Sequence, residues 1–252
     1  MGILDGKTAL VVGASAGAGY GIALKLAEEG ASMIAAARRM ERLQGLVDDA
    51  AERGFPGRIV PMVCDVEKEE ELEAVVQRAL DEFGRIDILA AVSQGHQDNH
   101  ALIEDTTLQD LVNSFVTGPG YTLVLINKVV PHMKQQGFGR IITMGSGAGK
   151  TGAPFHTAYA LAKAGIMLLT RKAASEYGQF GITANSITPV SKNDREGSNF
   201  ITPDPAFVAR IPRKYMGTPY EDVAPLVAFL CSDAAGYISG QVIGADGGLS
   251  AV

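Results

Sequence analysis

Short apolar, β-branched runs alternate along the chain with longer amphipathic ones, the pattern of strands that each lead into a helix. Strands are expected at residues 8–13, 32–37, 58–64, 86–92, 140–144, 182–188 and 241–245. Helices are expected at 19–29, 40–53, 68–83, 108–115, 121–134, 157–177 and 221–231. Gly30 and Gly84 stop two of the helices. Pro61 cannot donate to a neighbour, so the third strand is expected at a sheet edge. Gly118-Pro119-Gly120 interrupts the helical pattern between 108 and 134. Repeated β-α units predict an α/β fold: a Rossmann-like, doubly wound parallel sheet of about seven strands with helices on both faces. Ligands in such sheets sit beyond the carboxyl ends of the strands, where strand order reverses. Neither a linker nor a charge block breaks the pattern, so residues 1–252 are expected to form one domain. Pro189 ends the sixth strand, and the irregular stretch 190–217, rich in Pro, Asp, Arg and aromatics, is expected to be a substrate lid within that domain.

Composition narrows the function. The chain has 252 residues, 46% of them hydrophobic, which excludes a disordered, solvating chain. Its 22 basic and 28 acidic residues give a net charge of −6. With no basic run, neither nucleic acid nor an anionic membrane is an expected partner. No stretch of 18 apolar residues or signal-like segment occurs, so a cytoplasmic location is expected. Cys64 and Cys231 are far apart and belong to no Cys/His cluster; reduced thiols and no metal site are expected.

The segment Gly13-Ala14-Ser15-Ala16-Gly17-Ala18-Gly19 follows the first strand and opens a helix. A backbone that approaches a pyrophosphate needs small residues at these turns, and the helix N-terminus offers N–H groups and a positive dipole end. Gly13, Ser15, Gly17, Ala18 and Gly19 are therefore candidate cofactor contacts. The second strand ends in Ala37-Arg38-Arg39. An acidic residue there would bind a ribose 2′-hydroxyl; two guanidiniums suit a 2′-phosphate, which favours NADP(H) over NAD(H). The alternative is a solvated pair at a helix start. Asp65 and Val66 close the third strand, where they either contact the adenine edge or cap the next helix.

Ser146 follows the fifth strand, Tyr159 lies thirteen residues on, and Lys163 comes four later. Tyr159 and Lys163, at i and i+4, share one helix face. A tyrosine hydroxyl ordinarily titrates near pH ~10, too high for acid–base work at neutrality. A nearby ammonium, together with an oxidised nicotinamide, stabilises the phenolate. Tyr159 then exchanges a proton with an alcohol or carbonyl oxygen, Ser146 hydrogen-bonds the same oxygen, and Lys163 also reaches the nicotinamide ribose.

With these residues the chain resembles the short-chain dehydrogenase/reductase family in its single-domain form, over nearly its whole length. The resemblance rests on Val12-Gly13-Ala14-Ser15-Ala16-Gly17-Ala18-Gly19, Cys64-Asp65-Val66, Ser146 with Tyr159-Ala160-Leu161-Ala162-Lys163, and the tail from Pro219 through Ile238-Ser239-Gly240 to Asp246-Gly247-Gly248. It implies a seven-stranded sheet, a homotetramer, and NAD(P)-dependent interconversion of alcohol and carbonyl. It extends the cofactor contacts to Ala91 and Pro189 and places substrate contacts at Phe155 and His156. Three departures stand out. After the fourth strand the family's Asn-Asn-Ala-Gly is Ala91-Val92-Ser93-Gln94. The family's catalytic asparagine, which supports a water relay to the lysine, falls at Gly118, with Asn113 and Thr117 only nearby. The family's Pro-Gly after the sixth strand is Pro189-Val190.

His96 and His100 follow the fourth strand and are candidates for substrate contact or proton relay; Phe200, Phe207, Tyr215 and Met216 are candidates for an apolar lid lining. The expected activity is hydride transfer between NADP(H) and a secondary alcohol or ketone, bulky and apolar, with Tyr159 as general acid/base. Two alternatives are a β-ketoacyl carrier-protein reductase and a dinucleotide-binding sensor without turnover. Against the first stands Gly137, nine positions before Ser146, where such reductases present a basic residue.

Overall fold

A computed structural model describes residues 2–94, 101–192 and 204–251. The chain alternates strand and helix from the start: β1 (Thr8–Val12), α1 (Gly17–Glu28), β2 (Ser32–Ala37), α2 (Met40–Glu52), β3 (Ile59–Val63), α3 (Glu69–Phe83) and β4 (Ile88–Ala91). It continues with α4 (Leu108–Phe115), α5 (Tyr121–Gln136), β5 (Gly139–Met144), α6 (Ala148–Thr151), α7 (Thr157–Tyr177) and β6 (Ile182–Pro189). The last elements are α8 (Pro205–Arg210), α9 (Ala224–Cys231) and β7 (Val242–Ala245). Among the described residues the sheet has seven parallel strands in the order β3-β2-β1-β4-β5-β6-β7. β3 is an edge strand, so the missing N–H of Pro61 breaks no ladder while Pro61 faces Ala35.

Side-chain alternation along the strands builds two cores. Ala9, Val11, Met33 and Ala35 pack under α1, α2 and α9 with Ile22, Leu26, Leu43, Leu46 and Leu230. Leu10, Val12, Ile34 and Ala36 point the other way, against α3, α5 and α7 with Leu72, Val75, Leu125 and Val129. Each buried Leu or Ile contributes about 1.5–3 kcal/mol, so both helical layers are held to the sheet by apolar contact. β1 is flanked by β2 on one side and β4 on the other, which makes the carboxyl ends of β1 and β4 the point where strand order reverses.

Three expectations are corrected. Gly118-Pro119-Gly120 does not break the helix: the chain runs from α4 into α5 through a π turn, Val116–Gly120, and Pro119 is carried inside it. The C-terminal helix also opens as a π turn, Pro219–Val223, with Thr218 accepting from the Glu221 N–H. Finally, the stretch expected to be irregular contains α8, started by Asp204 capping Ala206 N–H and by Pro205 at the first helical position.

Candidate active site

A cleft of about 590 Å³ lies at the carboxyl ends of β1, β2, β4, β5 and β6. Its floor is the loop between β1 and α1. The N–H groups of Gly13 and Ala14 both donate to the Ala36 carbonyl, at 2.7 and 3.2 Å, and fold the chain back at the strand end. Gly13 sits at φ +103°, and a Cβ there would lie 2.6 Å from the Ser93 nitrogen. A Cβ at Gly19 would lie 2.1 Å from the Gly13 carbonyl oxygen. Only glycine allows the loop to lie this close to α1 and to the exit of β4. Ala16 has no side chain to cap α1, and no acidic residue stands in its first turn, so the positive helix end is presented to the cleft. The cradle therefore fits a dinucleotide pyrophosphate.

At one end of the cleft Arg38 is exposed and Arg39 half-buried, with an Arg39 guanidinium nitrogen 3.4 Å from the Ser15 hydroxyl. Ser15, Arg38 and Arg39 thus line one corner together. Asp65 and Val66 line the wall beside it with Cys64 and Glu67. Asp65 does not cap α3, whose N-cap is Lys68. Its carboxylate instead accepts from the Glu67 N–H at 3.2 Å, while its own N–H donates to Glu71 at 2.7 Å. Burial pushes the Cys64 thiol up to about 12, so this cysteine is an inert wall group.

At the other end are Tyr159, Lys163, Met144, Gly145 and Pro189. Lys163 is 3% exposed, and its ammonium donates to the Met144 carbonyl at 2.8 Å. Its nitrogen lies 5.5 Å from the centre of the Tyr159 ring. Burial alone pushes the Lys163 amine down to about 7. An amine near neutrality can hold or release a proton at physiological pH, and it stands one helical turn from a phenol in the same cleft.

Ser146 is half-buried at the exit of β5, its hydroxyl accepting from the Ala148 N–H at 3.2 Å. Two residues later begins the short α6, unforeseen in the sequence, whose Lys150 donates to the Thr188 hydroxyl at 3.3 Å. Phe155 takes φ +64°, a left-handed conformation that costs a non-glycine residue on the order of 1 kcal/mol and turns the chain into α7. It is 49% exposed. His156 occupies the N-cap position of α7 without a side-chain capping bond, and its ring centre lies 6.2 Å from that of Tyr159. Neither Ser146, Phe155 nor His156 forms part of the cleft wall described above.

Ala91 also lies outside that wall. It is buried in the sheet, paired with Val12 and Thr143, and the next three residues, Val92, Ser93 and Gln94, face the cleft instead. Their signal in the sequence was the end of an apolar run at a reversal of strand order, which places the loop rather than the strand at the ligand. Met216 is buried, while Tyr215 is 42% exposed and its hydroxyl donates to Asp222 at 2.9 Å. Phe207 is half-buried on α8. His96, His100, Phe200 and residues 193–203 lie outside the described residues. Among the described residues no group of three His, Cys, Asp or Glu is placed to hold a metal, and no helix is long and apolar enough to cross a membrane.

Fold and cleft together define a dinucleotide-dependent oxidoreductase. A family model described as enoyl-(acyl carrier protein) reductase matches residues 13–250. The 3-oxoacyl-[acyl-carrier-protein] reductase FabG of Thermotoga maritima is 34% identical over 98% of both chains, and that of Staphylococcus epidermidis is 33% identical over 96% of this chain and 98% of its own. Among solved structures, levodione reductase superposes with a TM-score of 0.92 at 28% identity, covering 99% of each chain. A Sinorhizobium meliloti 1021 chain assigned as a short-chain alcohol dehydrogenase gives 0.89 at 29% identity, covering 98% of each. The chain belongs to the short-chain dehydrogenase/reductase family and uses a nicotinamide dinucleotide of the NAD(P) type.

Proposed function

We propose that the protein reduces a bulky, mostly apolar ketone to a secondary alcohol with NADPH, and runs the reverse with NADP⁺. The observation that carries this reading is the buried Lys163 amine, one turn from Tyr159, at the end of a cleft whose other end carries Arg38 and Arg39. Gly13, Ser15, Gly17, Ala18 and Gly19 would hold the pyrophosphate, Arg38 and Arg39 the 2′-phosphate, Asp65 and Val66 the adenine, and Lys163 and Pro189 the nicotinamide half. When bound, the cofactor supplies or accepts hydride at the carbonyl carbon. Tyr159 gives its phenolic proton to the carbonyl oxygen, which Ser146 steadies by a hydrogen bond. Lys163 returns a proton to the phenolate. Phe155 and His156, at the entry to α7, guide an apolar substrate toward Tyr159.

A second reading, reduction of a 3-oxoacyl thioester on a carrier protein, is supported by the names of the relatives. Gly137 at the carboxyl end of α5 carries no charge, and neighbouring Lys134 is laid over the rings of Tyr177 and Phe180, 4.8 and 4.6 Å from their centres. Gly137 therefore gives an acidic carrier no cation at that position. Comparing kcat/KM with NADPH on a cyclic apolar ketone and on an acetoacetyl thioester separates the two. The first reading expects the ketone to be preferred; a tenfold preference for the thioester overturns it.

Arg38→Asp tests the cofactor assignment. Loss of a charge-assisted hydrogen bond to a phosphate is worth about 1.5–3 kcal/mol, so the NADPH dissociation constant should rise roughly 10- to 100-fold. NADH binding should hold or tighten, because its ribose carries no phosphate to lose and the new carboxylate can accept from its 2′-hydroxyl. Equal weakening of both cofactors, read by nicotinamide fluorescence, would refute the assignment.

The helices α4, α5 and α7 present Leu108, Val112, Phe115, Leu123, Leu161 and Leu168 to solvent. This apolar face supports assembly into a homotetramer, which sedimentation velocity would reveal and a monomer at micromolar concentration would exclude.

A further inference from the structure

The exit of β4 and the π turn between α4 and α5 meet beside the helix that carries Tyr159 and Lys163. A Cβ added at Gly118 would lie 3.4 Å from the Ala162 Cβ, and 3.5 and 3.6 Å from Oε1 and Nε2 of Gln94. Ala162 immediately precedes Lys163. Both polar atoms of the Gln94 amide are buried from solvent, and the residue lines the cleft. One residue earlier, the Tyr121 phenol donates to the Ser93 carbonyl at 3.0 Å, which pins the chain where it delivers Gln94.

Gly118 is not required by its backbone, since its φ lies outside the left-handed region and a methyl group there would make only ordinary contacts. A helical glycine costs roughly 0.5–1 kcal/mol relative to alanine. A side chain longer than a methyl, however, would compete with the Gln94 amide for the same space. The glycine admits the amide. π turns recur at functional sites, and this one sets its bulge against the catalytic helix. An amide donates and accepts at once, which an apolar side chain of the same volume does not. The Lys163 amine donates to the Met144 carbonyl from β5 and lies 5.5 Å from the Tyr159 ring centre, and it lines the same cleft as Gln94.

We infer that Gln94 is a positioning residue for the proton supply of Lys163: its carboxamide, admitted by Gly118, orients the hydrogen-bonded path by which a solvent proton reaches the amine after each reduction. The inference rests on the acid–base reading of Tyr159 and Lys163 given above. The balance is one proton per turnover. The phenol gives its proton to the carbonyl oxygen, the ammonium gives one to the phenolate, and solvent restores the ammonium.

The test is the pH profile of kcat for ketone reduction with NADPH in Gln94→Met, Gln94→Ala, and Gln94→Ala combined with Gly118→Asn. Gln94→Met keeps the volume and removes the amide, which separates proton supply from packing. Both single variants should lose about 10- to 100-fold in kcat at pH 8, with a smaller loss at pH 6 where protons are plentiful, and NADPH affinity should stay within twofold. Gly118→Asn should restore at least tenfold to Gln94→Ala by supplying a carboxamide from the other side of the gap. Wild-type kcat in Gln94→Met would overturn the inference, as would a loss that is equal at every pH and unrelieved by Gly118→Asn. If instead Tyr159→Phe retained turnover, the acid–base reading itself would fall, whatever the Gln94 variants did.

Discussion

Tyr159→Phe is expected to lower kcat for ketone reduction by roughly 10²- to 10⁴-fold, the range for removal of a positioned general acid. The substitution deletes one oxygen. The ring keeps its packing near Lys163 and His156, and α7 keeps its sequence on either side. The pyrophosphate cradle lies across the cleft on other elements, so NADPH affinity should remain within about twofold. Steady-state kinetics and a fluorescence titration on the same preparation measure both quantities. A variant that kept a tenth of wild-type kcat would show that the phenolic proton is not the one delivered to the substrate.

Lys163→Met should produce two effects of opposite sign. Activity should drop by about 10²-fold or more, because the phenol loses its proton donor. Stability at neutral pH should rise, because an unbranched apolar side chain replaces an amine that burial has pushed down to about 7. The sign follows from linkage. The unfolded lysine holds its proton up to pH ~10.4, so between pH 7 and that value the unfolded state binds more protons, and wild-type stability rises with pH. The contribution of Lys163 to that slope approaches 1.4 kcal/mol per pH unit at most. Above pH ~8.5 the buried Cys64 and Cys231 thiols, pushed up to about 12, act the other way, since unfolded thiols lose protons first. The comparison therefore belongs between pH 7 and 8.5, on cofactor-free protein by urea unfolding. Wild type should gain stability relative to Lys163→Met across this window; a constant difference would mean that the amine is solvated.

Six of the seven strands were legible as short apolar runs closed by Gly, Pro or a charged residue, β4 ran out at Ser93 instead, and β3 declared its edge position through Pro61. The tight turn after β1 was legible because glycine spacing records close backbone approach: Gly13 lies against Ser93, and Gly19 against the Gly13 carbonyl. Local sequence could not separate a broken helix from one that continues through a π turn at Gly118, because tertiary packing on α7 decides it. Nor could it find α6, whose four residues are too short for a periodic signal. At the end of β4 the sequence could not divide strand from cleft: Ala91 is held by sheet pairing, and the cleft lining begins one residue later at Val92. Gln94 stood out in the sequence only as the end of the departure from the family's Asn-Asn-Ala-Gly. Its significance lies in sharing a gap with Gly118, 24 residues away in sequence, and only the fold brings the two together.

The most direct test of the account is a single-turnover experiment: the wild-type NADPH complex is mixed with excess ketone and followed at the nicotinamide absorbance. Oxidation of bound cofactor in an amount equal to the enzyme, absent in Tyr159→Phe, is the predicted result. Cofactor that binds and stays reduced in the presence of every ketone and thioester offered would contradict it.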